Sequence, residues 1–214
     1  GAVAVTGPLA GPPDEGLCAR VDRILHLNHL THLWTADQTT RASTSNLSVR
    51  RDVFLSLGGF PDVIANEDAI FTSKLIEKHG PIAVAPDAIV HHLSPDSLDA
   101  LLHHQRRFGA GFVDGRREDP SLTGAFAIRH PSLVPLLPLM RGGAIFARLA
   151  RHNRRDLGTL LAPPVLFARA LAAWTAGIRD GLRGDEVEWD LQEDHDQAGE
   201  VGKDHKTANE GGHS

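Results

Sequence analysis

Apolar residues come in short runs up to about residue 113 and in two long stretches between residues 131 and 178. After residue 185 they nearly vanish. The short runs predict an α/β alternation. Residues 2–5 (Ala-Val-Ala-Val) read as a buried strand closed by Thr6-Gly7-Pro8. Leu17, Val21, Ile24 and Leu25 recur at helical spacing, so residues 14–34 are expected to form one helix capped by Asp14. His26, His29 and His32 share that segment at three-residue steps. Successive threes drift round a helix, so these read as solvated or packing side chains rather than metal ligands. Residues 39–48 are polar and read as loop or edge strand. Val53, Phe54 and Leu57 mark a short helix over 49–57, ended by Gly58-Gly59, after which Phe60 is expected to pack inward. Ile70, Phe71, Leu75 and Ile76 mark a helix over 67–79, stopped by Gly80-Pro81. Residues 82–84 and 88–90 are short strands split by Pro86-Asp87. Ser94-Pro95-Asp96 then offers a cap, a first-turn proline and an acid for the positive end of a helix. Leu98, Leu101, Leu102, Gln105 and Phe108 continue as one helical stripe.

Beyond Gly115 the pattern changes. Residues 116–120 form a polar break, and residues 131–178 are apolar with scattered arginines. The stretch 157–178 has the length of a bilayer span, but Arg169 and the Pro163-Pro164 pair argue against an ordinary spanning helix. An amphipathic segment on a membrane surface and a helical hairpin packed on the domain are the other readings. The charge is divided in the same way. The whole chain carries −5, yet residues 141–184 hold eight Arg and two Asp (+6), and residues 185–214 hold ten acids and two Lys (−8). This predicts a peripheral contact between residues 131–184 and anionic headgroups, with Leu, Phe and Trp174 entering the interface, and no nucleic-acid partner. Low apolar content and high charge predict disorder over residues 185–214. Three regions result: an α/β part at 1–115, a helical, membrane-associated part at 116–184, and an acidic tail at 185–214.

Cys18 is the only cysteine, which excludes an intrachain disulfide and suits a reducing compartment. The chain opens on Gly1 directly before an apolar run, which predicts an N-terminal truncation or a divided gene.

Several side chains could carry chemistry. Glu67-Asp68 sits at a helix start, where acids either cap free amide groups or, aimed into a cleft, accept a proton. His91-His92 follows a strand and reads as a locally satisfied pair or as a metal ligand. Asn46 is a turn residue or an amide that fixes a substrate. Gln105-Arg106-Arg107 reads as a basic helix end or as a diphosphate clamp. Trp34 could stack on a sugar ring, although a core position is the safer expectation.

Taken in order, Asn46 with Arg50-Arg51, Leu57-Gly58-Gly59-Phe60, Asn66-Glu67-Asp68, His91-His92 and Gln105-Arg106-Arg107-Phe108-Gly109 resemble the acceptor half of a family 2 glycosyltransferase of the GT-A fold. The resemblance covers roughly residues 2–112. The last motif is similar to the Gln-x-x-Arg-Trp of processive members, with Arg one place early and Phe where Trp would stand. The resemblance implies a partial GT-A (Rossmann-like) domain acting on a nucleotide-sugar donor and a glycan or lipid-linked acceptor, in cell-envelope polysaccharide or glycolipid synthesis at the cytoplasmic face of the plasma membrane. It implies that Asp68 is the general base, with Glu67 beside it on the acceptor or the loop. Asn46, Arg50, Gln105, Arg106 and Arg107 would bind substrate. His91 or His92, with His92 favoured by strand parity, would complete a manganese or magnesium site begun by an Asp-x-Asp motif. The donor half that carries this motif is expected upstream and is missing here. The literal Asp194-His195-Asp196 lies in the expected tail and reads as chance. A truncated, non-catalytic module that binds a glycan, a lipid or a partner is the alternative.

Overall fold

The structure is a computed structural model and describes residues 1–63, 65–161 and 164–185. The expected tail, apart from Asp185, and the Asp194-His195-Asp196 triplet lie outside the described residues.

The α/β part begins with β1 (Ala4–Thr6), β2 (Leu9–Ala10) and α1 (Leu17–Leu27). A 3-10 segment, Asn28–Trp34, leads to β3 (Gln38–Thr39). A second, Thr44–Asn46, leads to β4 (Leu47–Val49) and α2 (Arg51–Ser56). Then come α3 (Glu67–His79), β5 (Ile82–Val84), β6 (Val90–His91) and α4 (Leu98–Glu118). The rest is helical: α5 (Phe126–Arg129), a 3-10 stretch Pro131–Leu136, α6 (Leu137–His152), α7 (Arg154–Leu161) and α8 (Pro164–Arg183). The chain is therefore mixed α/β, with a small mixed sheet and a majority of helix.

Four strands lie in the order β3-β5-β1-β4, and β2 pairs with β6 in a second, two-stranded sheet. β1 runs parallel to β5 and antiparallel to β4, with Thr6 opposite Val84 and Leu47. Ala4, Val53, Phe71, Leu75 and Ile82 form the core under this sheet, so α2 and α3 cover it. A second core mixes α1 and α4 (Val21, Ile24, Leu25, Leu101) with the late helices (Ile145, Leu149, Leu160, Phe167, Leu171). A third joins Phe112 and Val113 of α4 to Val134, Leu137, Trp174 and Ile178. Residues 116–184 thus share cores with α1 and α4, and α4 itself runs across residue 115.

α4 and α8 cross closely enough that a methyl group at Gly109 would lie 2.0 Å from the Trp174 carbonyl oxygen. One at Gly177 would lie 1.8 Å from that of Arg106. Glycine, which ordinarily weakens a helix interior, serves here as the contact.

Some expectations are corrected. The single helix over 14–34 is an α-helix followed by a 3-10 segment. Asn28 Nδ2 donates to Leu25 O and Thr31 Oγ1 donates to Asn28 O, so side chains take carbonyls that an α-helix would use. The cap of α4 is Ser97, whose hydroxyl accepts from the Ala100 N–H at 3.1 Å, and not Ser94. Residues 47–49 form a strand, and the helix behind them starts at Arg51. Phe60 and Trp34 are each 44% exposed, although the Phe60 ring still packs against Phe54 and Phe71. Trp174 is 6% exposed, so it sits in the core and faces no membrane. The described part of the stretch 157–178 belongs to two helices, α7 and α8, whose directions differ by 90°.

Candidate functional site

In an open α/β sheet the ligand crevice lies outside the carboxyl ends of parallel strands. Here that edge follows Thr6 of β1 and Val84 of β5. β4 runs the other way, so the Thr44–Asn46 turn that precedes it lies at the same edge. α3 leads through Gly80 into the start of β5, which leaves the amino end of α3, Glu67 and Asp68, at the carboxyl edge.

The segment that delivers Asp68 is held from α4. Asn66 adopts a left-handed conformation (φ 74°), and its Nδ2 donates to the Gly111 carbonyl at 2.9 Å. A methyl group at Gly111 would lie 2.5 Å from Ala65 Cβ, and one at Gly115 would lie 2.9 Å from Asn66 Cβ. Two glycines on one face of α4 therefore set how closely residues 65–66 approach. Asp68 follows, partly buried. Its Oδ1 accepts from the Ala69 N–H at 2.7 Å, and Thr72 Oγ1 donates to its backbone carbonyl at 2.7 Å. Burial, then the neighbouring Glu67, push the Asp68 carboxyl up to about 6. Hydrogen bonds from the backbone N–H groups of Ala69 and Thr44 oppose this only in part. A carboxylate with its pKa near neutrality accepts a proton more readily than an ordinary aspartate.

Asn46 lies at the same edge but is committed. Its Nδ2 donates to Pro8 O (3.1 Å) and Ala88 O (2.7 Å), and its carbonyl accepts from Thr6 Oγ1 (2.7 Å). It clasps the loops after β1 and β5. Arg50 is exposed and ion-paired with Asp52, two residues on.

The two histidines part ways. His91 is exposed, and its Nδ1 donates to the Gly11 carbonyl at 3.0 Å. That bond fixes the proton on Nδ1 and leaves the Nε2 lone pair free, the arrangement a metal-ligating histidine adopts. His92 turns toward His26, with ring centroids 6.1 Å apart, and burial lowers its pKa. His26 stacks on Phe108 (4.1 Å), and burial holds its pKa well below the usual value. Strand parity grouped His92 with Ala88 and Val90 as inward-facing; both of those are exposed, and His92, half-buried, lies just past the end of β6. What it meets there is an aromatic cluster. No group of three or more His, Cys, Asp or Glu side chains among the described residues is arranged to hold a metal ion. At the expected position the described residues therefore offer a divalent cation no more than the single ligand His91.

Gln105, Arg106 and Arg107 lie on α4, away from its amino end. Gln105 is fully buried; its Nε2 donates to Asp22 Oδ1 at 2.8 Å and its Oε1 accepts from Arg141 at 3.1 Å. Arg106 pairs with Asp180 of α8 at 2.7 Å, and Arg107 is buried. These contacts tie α4 to α1, α6 and α8.

Two participants were not singled out from the sequence. The Thr44 backbone offered no signal. Asp22, which also binds His104 Nδ1 at 2.9 Å, did: it lies on the apolar face of α1 between Val21 and Leu25. No protein-family model matches this chain, and neither does any curated protein or solved structure.

Proposed function

We propose that the α/β part is the acceptor half of a GT-A-type glycosyltransferase. It would use a nucleotide-activated sugar and a glycan or lipid-linked acceptor, at the cytoplasmic face of the plasma membrane. The observation that carries this reading is Asp68: a carboxyl at the carboxyl edge of the sheet, positioned by α4 and raised to about 6. The ordered motifs around it give the reading its reaction class.

In the proposed step an acceptor hydroxyl gives its proton to Asp68 as its oxygen bonds to the anomeric carbon. The bond from that carbon to the diphosphate breaks, and its electron pair leaves with the nucleoside diphosphate. A divalent ion, when bound, would neutralise the leaving group, with His91 as one of its ligands. Glu67 keeps the Asp68 pKa high through its adjacent charge. Asn46 fixes the loops that border the acceptor. The nucleotide-binding strands are proposed to come from outside these 214 residues.

The test is transfer from a panel of nucleotide sugars, with manganese or magnesium, by the protein carrying those strands. Asp68→Asn is expected to lower turnover about 100-fold or more with donor affinity unchanged. For the wild type, kcat/KM should rise with pH through an apparent pKa of about 6, and the variant should lose that limb. Wild-type turnover by the variant sinks the assignment.

One observation favours a second reading, a non-catalytic binding module: Asn46, Gln105 and Arg106 are all engaged by other groups of the protein. Saturable glycan binding without transfer from any donor would decide for it.

A further inference from the structure

We propose that α6 is an in-plane helix that seats this chain on an anionic lipid surface. Pro131–His152 is the one helical stretch, among the described residues, long and apolar enough to cross a membrane. It does not lie as a spanning helix would. One face is fastened to the protein along its length: Leu137, Ile145 and Leu149 are buried in two cores. Arg141 donates to Leu25 O and Gln105 Oε1, both at 3.1 Å, and Arg148 donates to Asn28 Oδ1 at 2.8 Å. The other face is free. Leu136 (50%), Leu139 (73%) and Met140 (53%) are exposed, and Gly143, Ala147 and Ala150 continue the stripe. At 3.6 residues per turn these positions form one side of the helix, and none of them is polar.

The charge around this stripe selects the occupant. Between residues 121 and 184 the only acids are Asp156 and Asp180. Both are buried, against Arg23 (3.5 Å) and Arg106 (2.7 Å). Arg151, Arg154 and Arg155 cluster exposed at the carboxyl end of the stripe, and Arg129 is exposed before it. None of these four has an ion-pair partner among the described residues. An apolar stripe edged by one sign of charge is the pattern of a helix lying in the headgroup region of an anionic bilayer. A second copy of the chain would bring its arginines against these arginines.

Vesicle flotation tests this. The full chain should float with vesicles containing about one-third phosphatidylglycerol and far less with pure phosphatidylcholine, and high salt should release it. Leu139→Glu with Met140→Glu should cut binding roughly tenfold. Arg154→Gln with Arg155→Gln should cut it roughly fivefold per arginine on anionic vesicles only. All four side chains are exposed, so an unchanged thermal melt confirms that the variants fold. The proposal is overturned if the wild type fails to float or if the double-Glu variant floats as well as the wild type. It is also overturned if light scattering finds a dimer that the double-Glu change splits, in a protein that does not float. Asp68→Asn should float like the wild type, so a failure of the glycosyl-transfer reading leaves this result untouched.

Discussion

Asp22 and Asp68 are both withdrawn from water, one in the helical block and the other at the sheet edge, and their surroundings differ. Asp22 is fully buried, with both oxygens 2.9 Å from His104 Nδ1 and a further bond from Gln105. Asp68 has backbone N–H groups and a second acid beside it. The first carboxylate has dedicated side-chain partners from α4, and through Gln105 it reaches Arg141 of α6. Such a group fixes how helices pack and has no capacity left for a substrate. The second is raised to about 6 because its surroundings do not fully compensate its charge. Burial alone therefore does not raise an acid; burial without compensating side-chain partners does, and that is what makes Asp68 the candidate.

The largest effects should come from the helical block. Asp22→Ala leaves the buried Gln105 amide and His104 without their acceptor and should cost about 4 kcal/mol in urea unfolding. Gly109→Ala drives a methyl group toward the Trp174 carbonyl, 2.0 Å away, and should cost about 3 kcal/mol, because helix backbone cannot step aside. If Asp22→Ala cost no more than an average surface change, the contrast with Asp68 would collapse.

Next in size is the pH dependence of stability. The Asp68 carboxyl moves from 3.8 to about 6 on folding. Its ionised form is disfavoured in the native state, so its contribution falls as pH rises from about 4 to about 6 and then stays level. Two units correspond to about 3 kcal/mol, or about 2 kcal/mol after allowance for the partial exposure of the group. Asp68→Asn keeps an oxygen for the Ala69 N–H and removes the charge. The variant should equal the wild type near pH 4 and exceed it by about 2 kcal/mol near pH 7. Equal stability at both pH values would show that Asp68 is solvated, and the contrast would fail from the other side. The combination sought, a more stable protein that turns over less, is the usual mark of a functional acid.

What the sequence made legible follows from how local each signal is. The 67–79 helix and the 82–84 strand appear with the expected bounds, because Gly80, at φ 80°, ends one and introduces the other. The Gly58-Gly59 turn was equally plain, with both residues at positive φ. The 14–34 helix failed at Asn28, where side chains compete for the backbone, a competition that periodicity does not register. α4 passes through Gly109, Gly111 and Gly115 because each glycine meets a neighbour distant in sequence. The same distance hid the pairing of Asp22 with His104, 82 positions apart. The place of Asp68 at a helix start was legible from the pattern, whereas Asn46, Gln105 and Arg106 looked free because their partners are non-local.

The smallest predicted effect is the one that links the two regions. Gly111 lies on the same helix as Gly109 but faces the other way, and a methyl group there would lie 2.5 Å from Ala65 Cβ. Ala65 belongs to a loop and can move. In Gly111→Ala the better helix propensity, about 1 kcal/mol, offsets part of the strain, so the net loss should be about 1 kcal/mol. The displaced loop carries Asn66, whose bond to the Gly111 carbonyl sets the start of α3. Asp68 should then lose part of its burial, the largest cause of its raised pKa, and titrate below about 6. A carbon-detected NMR titration of the Asp68 carboxyl reads this directly. A midpoint that stays near 6 while the thermal melt drops would mean that α4 supports the fold without positioning Asp68. A midpoint that falls with little loss of stability would show that the glycine face of α4, which no local reading of the sequence marks as functional, tunes the acid at the sheet edge.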